Sequence, residues 1–156
     1  WVRAERAVVL VVGALFVSNT IAELADMVGM VTRHPSGANA YSLLSSSLAI
    51  WAVNIVVFSL LFWQMDAGGP QARSGGPLRG ADWSFPRPEA GSDDPEPWRP
   101  LYLDYLFLSY YTAVAFSPTD ALPLTRRAKA AMMVESAISM LTLVIVVSRA
   151  INVLPN

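Results

Sequence analysis

The side chains available for chemistry in this chain are carboxylates, amides and hydroxyls, because the sequence has no cysteine and a single histidine, His34. Thiolate catalysis, disulfides and cysteine-ligated metals are excluded. One imidazole leaves no basis for a His-rich metal site or a Ser-His-Asp relay. Within apolar surroundings, Asn19, Glu23 and Asp26 are spaced i, i+4, i+7 and so share one helical face. A carboxylate near mid-bilayer costs on the order of 3 kcal/mol on insertion scales, and such residues mark proton or cation sites. With Asn54 of a later apolar segment facing it, this group is a candidate ion or proton site. The competing reading ends the membrane segment at Ala22 and lets the helix carry its acids beyond the bilayer.

A second candidate is Ser117-Pro118-Thr119-Asp120, which puts two hydroxyls and a carboxylate directly after an apolar aromatic run. That run, Leu101 to Phe116, would be only ~24 Å long as a helix, short of the ~30 Å hydrocarbon core. A half-length apolar helix followed by a polar break reads as a re-entrant pore loop. A kinked full span from Leu101 to about Leu122 competes with it, and the four residues are also a good turn sequence. Asp104 is placed to complement the positive end of the short helix, or to attract ions at a pore mouth. Tyr102, Tyr105, Tyr110 and Tyr111 are explained by packing and interface anchoring.

The elements that must hold these residues are helices in a membrane. Of the 156 residues, 54% are hydrophobic and 15% charged, against about a quarter charged in soluble domains. Eleven basic and twelve acidic residues give a net charge of −1, so no basic field points to nucleic acid. The chain begins at Trp1 and reads as a piece of a longer protein. Ala7 to about Val31 is the first expected span. Tyr41 to Trp63 is the second, 23 residues without a formal charge. Ala128 to Leu154 is the last, with Arg149 placed to snorkel. Residues 66 to 100 hold six Gly, seven Pro, six acidic and four basic residues. That composition predicts a partly disordered loop with neither helix nor long strand, outside the bilayer, with Trp83, Phe85 and Trp98 docking it on the membrane surface. The expected organisation is therefore a first transmembrane helix and connection (1–39) and a two-span unit (40–154). The unit divides into an outer helix (40–65), the loop (66–100), a short helix (101–116), a turn (117–127) and an inner helix (128–154).

The stretch from Asp104 to Glu135 resembles the pore module of bacterial two-transmembrane potassium channels. Asp104, Leu106, Phe107, Ser109 and Thr112 fall on the pore-helix pattern of that family. Without a gap, Asp120 falls on the residue closing the filter, Pro123 and Thr125 on the following step, and Glu135 on an inner-helix Glu, while Lys129 replaces a common Arg. The filter departs from the family: Ala115-Phe116-Ser117-Pro118-Thr119 stands where Thr-Val-Gly-Tyr-Gly is usual. Glycine permits the backbone angles of a carbonyl-lined filter, and Pro118 fixes its own φ, so a potassium-type carbonyl ladder is not expected. The run TAVAFSPTDALPLTRRAK is also similar to a group of uncharacterised, mainly actinobacterial, integral membrane proteins.

The resemblance implies an all-α, multi-pass protein of the inner (plasma) membrane, with three spans and a re-entrant or kinked fourth helix. It implies a homo-oligomer, a tetramer, passing monovalent cations with little selectivity. Thr112, Ala115, Phe116, Ser117, Pro118, Thr119 and Asp120 would line the constriction, with Asp104, Ser109 and Glu135 in support. The rivals are a non-conducting scaffold or accessory subunit, and a carrier using Glu23 and Asp26. No enzyme constellation, cofactor motif or metal site is read from the sequence. The positive-inside rule favours the kinked span, because it gathers Arg33, Arg126, Arg127 and Lys129 on one side. Those cations also suit anionic lipid headgroups.

Overall fold

The structure, a computed structural model, describes residues 2–33, 40–74, 80–86, 98–115 and 121–153. Helix dominates these residues in five segments: α1 (Val2–Arg33), α2 (Ala40–Met65), α3 (Pro70–Ser74), α4 (Tyr102–Ala115) and α5 (Arg126–Val153). A 3-10 turn at Asp66–Gly68 and two short strands, β1 (Trp83–Ser84) and β2 (Leu122–Pro123), complete the order. Among the described residues two segments are long and apolar enough to cross a membrane. They are Leu44–Gly68, 25 residues of mean hydropathy 2.0, and Arg126–Val147, 22 residues of mean hydropathy 2.2.

Helices α2 and α5 pair antiparallel. Asn54 Nδ2 donates to Ser139 Oγ at 3.0 Å in the middle of the pair, and Arg127 reaches the Met65 carbonyl at 3.5 Å at its end. Buried positions of α5 include Ala128, Met132, Glu135, Ser139 and Thr142, with Ile138 and Ile145 beside them. Their spacing of four and three residues traces one stripe along a helix. The opposite face exposes Met133, Met140, Val144 and Val147. Small polar side chains therefore share the inside of this bundle with buried Phe58, Leu108 and Ile138, while its outer face is apolar.

Helix α4 has 14 residues, so it is ~21 Å long. It starts beside the end of α2, where the Tyr102 and Ser59 hydroxyls are 2.8 Å apart and Tyr105 donates to Asp66 Oδ2 at 2.5 Å. Further along, Ser109 donates to the Ile55 carbonyl at 2.8 Å and the Tyr110 and Trp51 rings meet at 6.4 Å. The helix thus runs back along α2. By β2 the chain has returned: β2 pairs antiparallel with β1, Trp83 opposite Pro123 and Ser84 opposite Leu122. Leu124 N donates to the Asp82 carbonyl at 2.8 Å, and Asp82 N to Asp66 Oδ1 at 2.6 Å. The start of α4 and strand β2 therefore lie at the same end of the α2–α5 pair.

The expectation that residues 66–100 hold no helix is corrected. The described parts form the 3-10 turn, α3 and β1. The turn needs the left-handed region at Ala67, Gly68 and Gly69, with φ of 48°, 90° and 100°, and glycine at two of these three positions makes that inexpensive. Trp83 does not dock on a membrane surface. It is buried against Phe62 with ring centroids 4.9 Å apart, and its Nε1 donates to Met132 Sδ at 3.4 Å. Phe85 stacks edge-on to Tyr105 at 5.1 Å, and the loop's aromatic residues supply core that its composition does not advertise.

Helix α1 lies along α2 with a tight approach at Gly13. A Cβ placed there would stand 2.5 Å from Leu61 Cδ2, so only glycine fits without a shift of Leu61.

Candidate functional site

Two groups of buried polar residues stand out, one in the middle of the bundle and one at the end where α4 begins. The middle group is a seam between α2, α4 and α5. Helix α2 contributes Asn54, α4 contributes Ser109 and Thr112, and α5 contributes Glu135, Ser139 and Thr142, all buried. Glu135 is 0% exposed, and Ser109 Oγ lies in short contact with its Oε1. Asn54 Nδ2 reaches the Glu135 carbonyl at 3.5 Å as well as Ser139. Among the described residues, Glu135 Oε2 has no hydrogen-bond partner, and no cation pairs with it. The Ser109 hydroxyl has one proton and stands beside two acceptors, the Ile55 carbonyl and Glu135. The chain of bonds is complete when Glu135 carries a proton and donates to Ser109, which donates onward to Ile55. The seam therefore joins α2, α4 and α5 through hydroxyls, an amide and one carboxyl group.

The second group is a cap of buried charges. Asp66 (1% exposed) accepts from the Asp82 backbone and from the Tyr105 hydroxyl. Arg73 (4% exposed) donates to the Trp63 and Asp66 carbonyls at 2.9 and 2.7 Å, and its Nη1 is 4.0 Å from Asp66 Oδ2. Its guanidinium carbon also lies 5.1 Å from the centre of the Tyr105 ring. Asp82 is fully buried and receives a bidentate Arg127, with Nε and Nη2 each at 2.6 Å, plus the Thr125 hydroxyl at 2.5 Å. Thr125 Oγ1 in turn accepts from Ala128 N at 3.2 Å, capping α5. Burial first, and then the bond to Asp66, pushes the Tyr105 phenol above its ordinary range, so it remains the donor.

The sequence-predicted residues fall in several places. Phe116, Ser117, Pro118, Thr119 and Asp120 lie outside the described residues, and Ala115 is the last residue of α4. Thr112 is 2% exposed, donates back to the Leu108 carbonyl, and accepts from Ser136 on α5 at its own carbonyl. Its side chain is buried inside the chain, against α5. Asp104 Oδ2 accepts from Leu101 N at 2.6 Å in the first turn of α4. Ser109 and Glu135, expected only as support, meet directly. Asn19 donates to Glu23 at 2.7 Å on an exposed face, and Asp26 is exposed too. The expectation that they face Asn54 is corrected, because Asn54 is 3% exposed and turned to α5. The cap escaped the sequence reading, which took Asp66 and Asp82 as loop charges and Arg127 as a topology signal. Its one local signal was Thr125 as a helix cap. Among the described residues no group of three or more acidic or imidazole side chains could hold a metal.

No protein family, curated protein or solved structure matches this chain.

Proposed function

We propose that the chain is a multi-pass plasma-membrane protein with three spans, α1, α2 and α5, and a re-entrant loop made of α4 and the segment that returns to β2. In this reading the α2–α4–α5 unit is a potassium-channel-like pore module that assembles as a symmetric homo-oligomer, a tetramer by the resemblance. It passes monovalent cations with little selectivity through the segment after α4. The observation that carries the reading is the path of α4: a half-length helix that goes in and returns at one end of two antiparallel, span-length helices. A kinked crossing would start α5 at the other end of α2. The apolar outer faces support a lipid environment, because exposed Val8, Val11, Val12 and Leu15 on α1 and Met140, Val144 and Val147 on α5 would be costly in water. The positive-inside argument against re-entry weakens as well, since Arg127 is paired to Asp82 rather than free for a headgroup.

Cation flux from liposomes containing the native chain, compared with Asp120→Ala, tests the reading. Flux that falls with the substitution makes the return segment a constriction. A monomer, or an inserted protein with no flux, would overturn the pore and leave the second reading, a non-conducting scaffold. The inward-facing Thr112 favours that second reading, because it removes a lining hydroxyl. The third, a carrier using Glu23 and Asp26, fails if their Ala variants transport as the native chain does.

A further inference from the structure

A cleft of about 220 Å³ opens where the loop meets the first three turns of α4. Its walls are aromatic: Phe85 and Trp98 from the loop on one side, Phe107 and Tyr111 from α4 on the other, with Asp104 and Leu108 between them. The rings come in two pairs, Phe85–Trp98 with centroids 6.5 Å apart and Phe107–Tyr111 at 4.6 Å. Asp104 is the one charged residue among those lining the cleft. Its Oδ2 is fixed by Leu101 N, and its Oδ1 has no hydrogen-bond partner among the described residues. Three of the described arginines near the loop are engaged elsewhere: Arg73 on Asp66 and Trp63, Arg99 on the Arg73 carbonyl, and Arg127 on Asp82. Among the described residues no cation is paired with Asp104.

From this arrangement we infer that the cleft binds a quaternary ammonium group. Such a group carries its positive charge under methyls, so it gains from ring faces and one carboxylate and asks for no hydrogen-bond acceptors. A metal ion or a primary ammonium needs several oxygen ligands, and the cleft supplies one carboxylate and one phenol. An uncharged apolar guest would leave Asp104 desolvated and unpaired. The group could arrive on a free solute such as choline or on the headgroup of a phosphatidylcholine, and the chemistry of recognition is the same for both. Binding here is independent of whether the return segment conducts.

The test is titration of the purified full chain, in vesicles of phosphatidylglycerol, with choline and with its neutral isostere, the alcohol in which a tert-butyl group replaces trimethylammonium. Tryptophan fluorescence reads the occupancy of the wall containing Trp98. Saturable quenching by choline and none by the isostere is expected. Asp104→Asn keeps an oxygen for Leu101 N and so keeps the helix cap, yet should weaken choline about tenfold, and Tyr111→Leu should do the same. If phosphatidylcholine mixed into the vesicles competes with choline, the headgroup is the ligand; if it does not compete, the ligand is a free solute. Equal binding of the isostere, or no saturable response in a chain whose fold is native by circular dichroism, overturns the proposal.

Discussion

The cap and the seam both bury carboxylates, and they do so by opposite means. In the cap, Asp66 and Asp82 keep cationic partners, Arg73 and Arg127, and further donors occupy their oxygens. In the seam, Glu135 has a hydroxyl beside one oxygen and no described partner at the other. The cap is an ion-paired network whose members come from the end of α2, the 3-10 turn, α3, the residue before β1, α4 and α5, and in it only Arg73 Nη2 lacks a partner among the described residues. The seam is a row of small polar groups on three helices with one acid left incomplete. An ion-paired network holds segments together by charge, whereas the seam holds its helices by hydrogen bonds between small polar groups.

Substitutions that remove charge while keeping shape separate the two most sharply. Asp66→Ala should be the most damaging, at about 3 to 5 kcal/mol, because it strands buried Arg73 without its counter-charge. Asp66→Asn should retain much of that loss, measured by thermal unfolding in detergent. Glu135→Gln, by contrast, should cost about 1 kcal/mol or less, since the amide can still donate to Ser109. Glu135→Ala should cost about 2 to 3 kcal/mol through its cavity and the lost bond. If Asp66→Asn proves as mild as Glu135→Gln, the distinction between an ion-paired cap and a hydrogen-bonded seam collapses.

Alkali provides a graded test of the cap alone. The Tyr105 phenol is raised above its unfolded value of about 10, so its contribution is complete below that pH and is lost as pH climbs toward the folded value. Stability should therefore fall with rising pH in the strongly alkaline range. Tyr105→Phe should remove that part of the slope at a cost of about 1 to 2 kcal/mol near neutrality. The smallest effect is expected at Asp104→Ala, which loses the bond to Leu101 N and a favourable place at the helix start, about 0.5 to 1 kcal/mol. It should leave both networks intact.

The seam was partly legible in the sequence and the cap was not, for a physical reason. Asn54, Ser109 and Glu135 are polar residues inside long apolar segments, and such residues stand out because lipid and core both penalise them. Their mutual contact, 81 residues apart for Asn54 and Glu135, depends on helix pairing that no local pattern encodes. Helices α2, α4 and α5 were placed within about two residues of their observed ends, since apolar length and the flanking breaks set them. Asp66, Arg73 and Asp82 sit among glycines and prolines, where periodicity carries no information and composition argues for disorder. Asp66 meets Arg73 seven residues on and Asp82 sixteen residues on, through turns whose course composition does not encode. Glu23 and Asp26 show the converse failure: their spacing was read correctly and places them on one face, but that face is exposed.

The position of the cap has a mechanical consequence. Every segment of the α2–α4–α5 unit is fastened at the loop end, where Arg127 and Asp82 tie the start of α5 to the end of α2. One side chain, Arg127, thereby holds both the Met65 carbonyl at the end of α2 and the Asp82 carboxylate beside β1, so its loss would release the start of α5 from two neighbours at once.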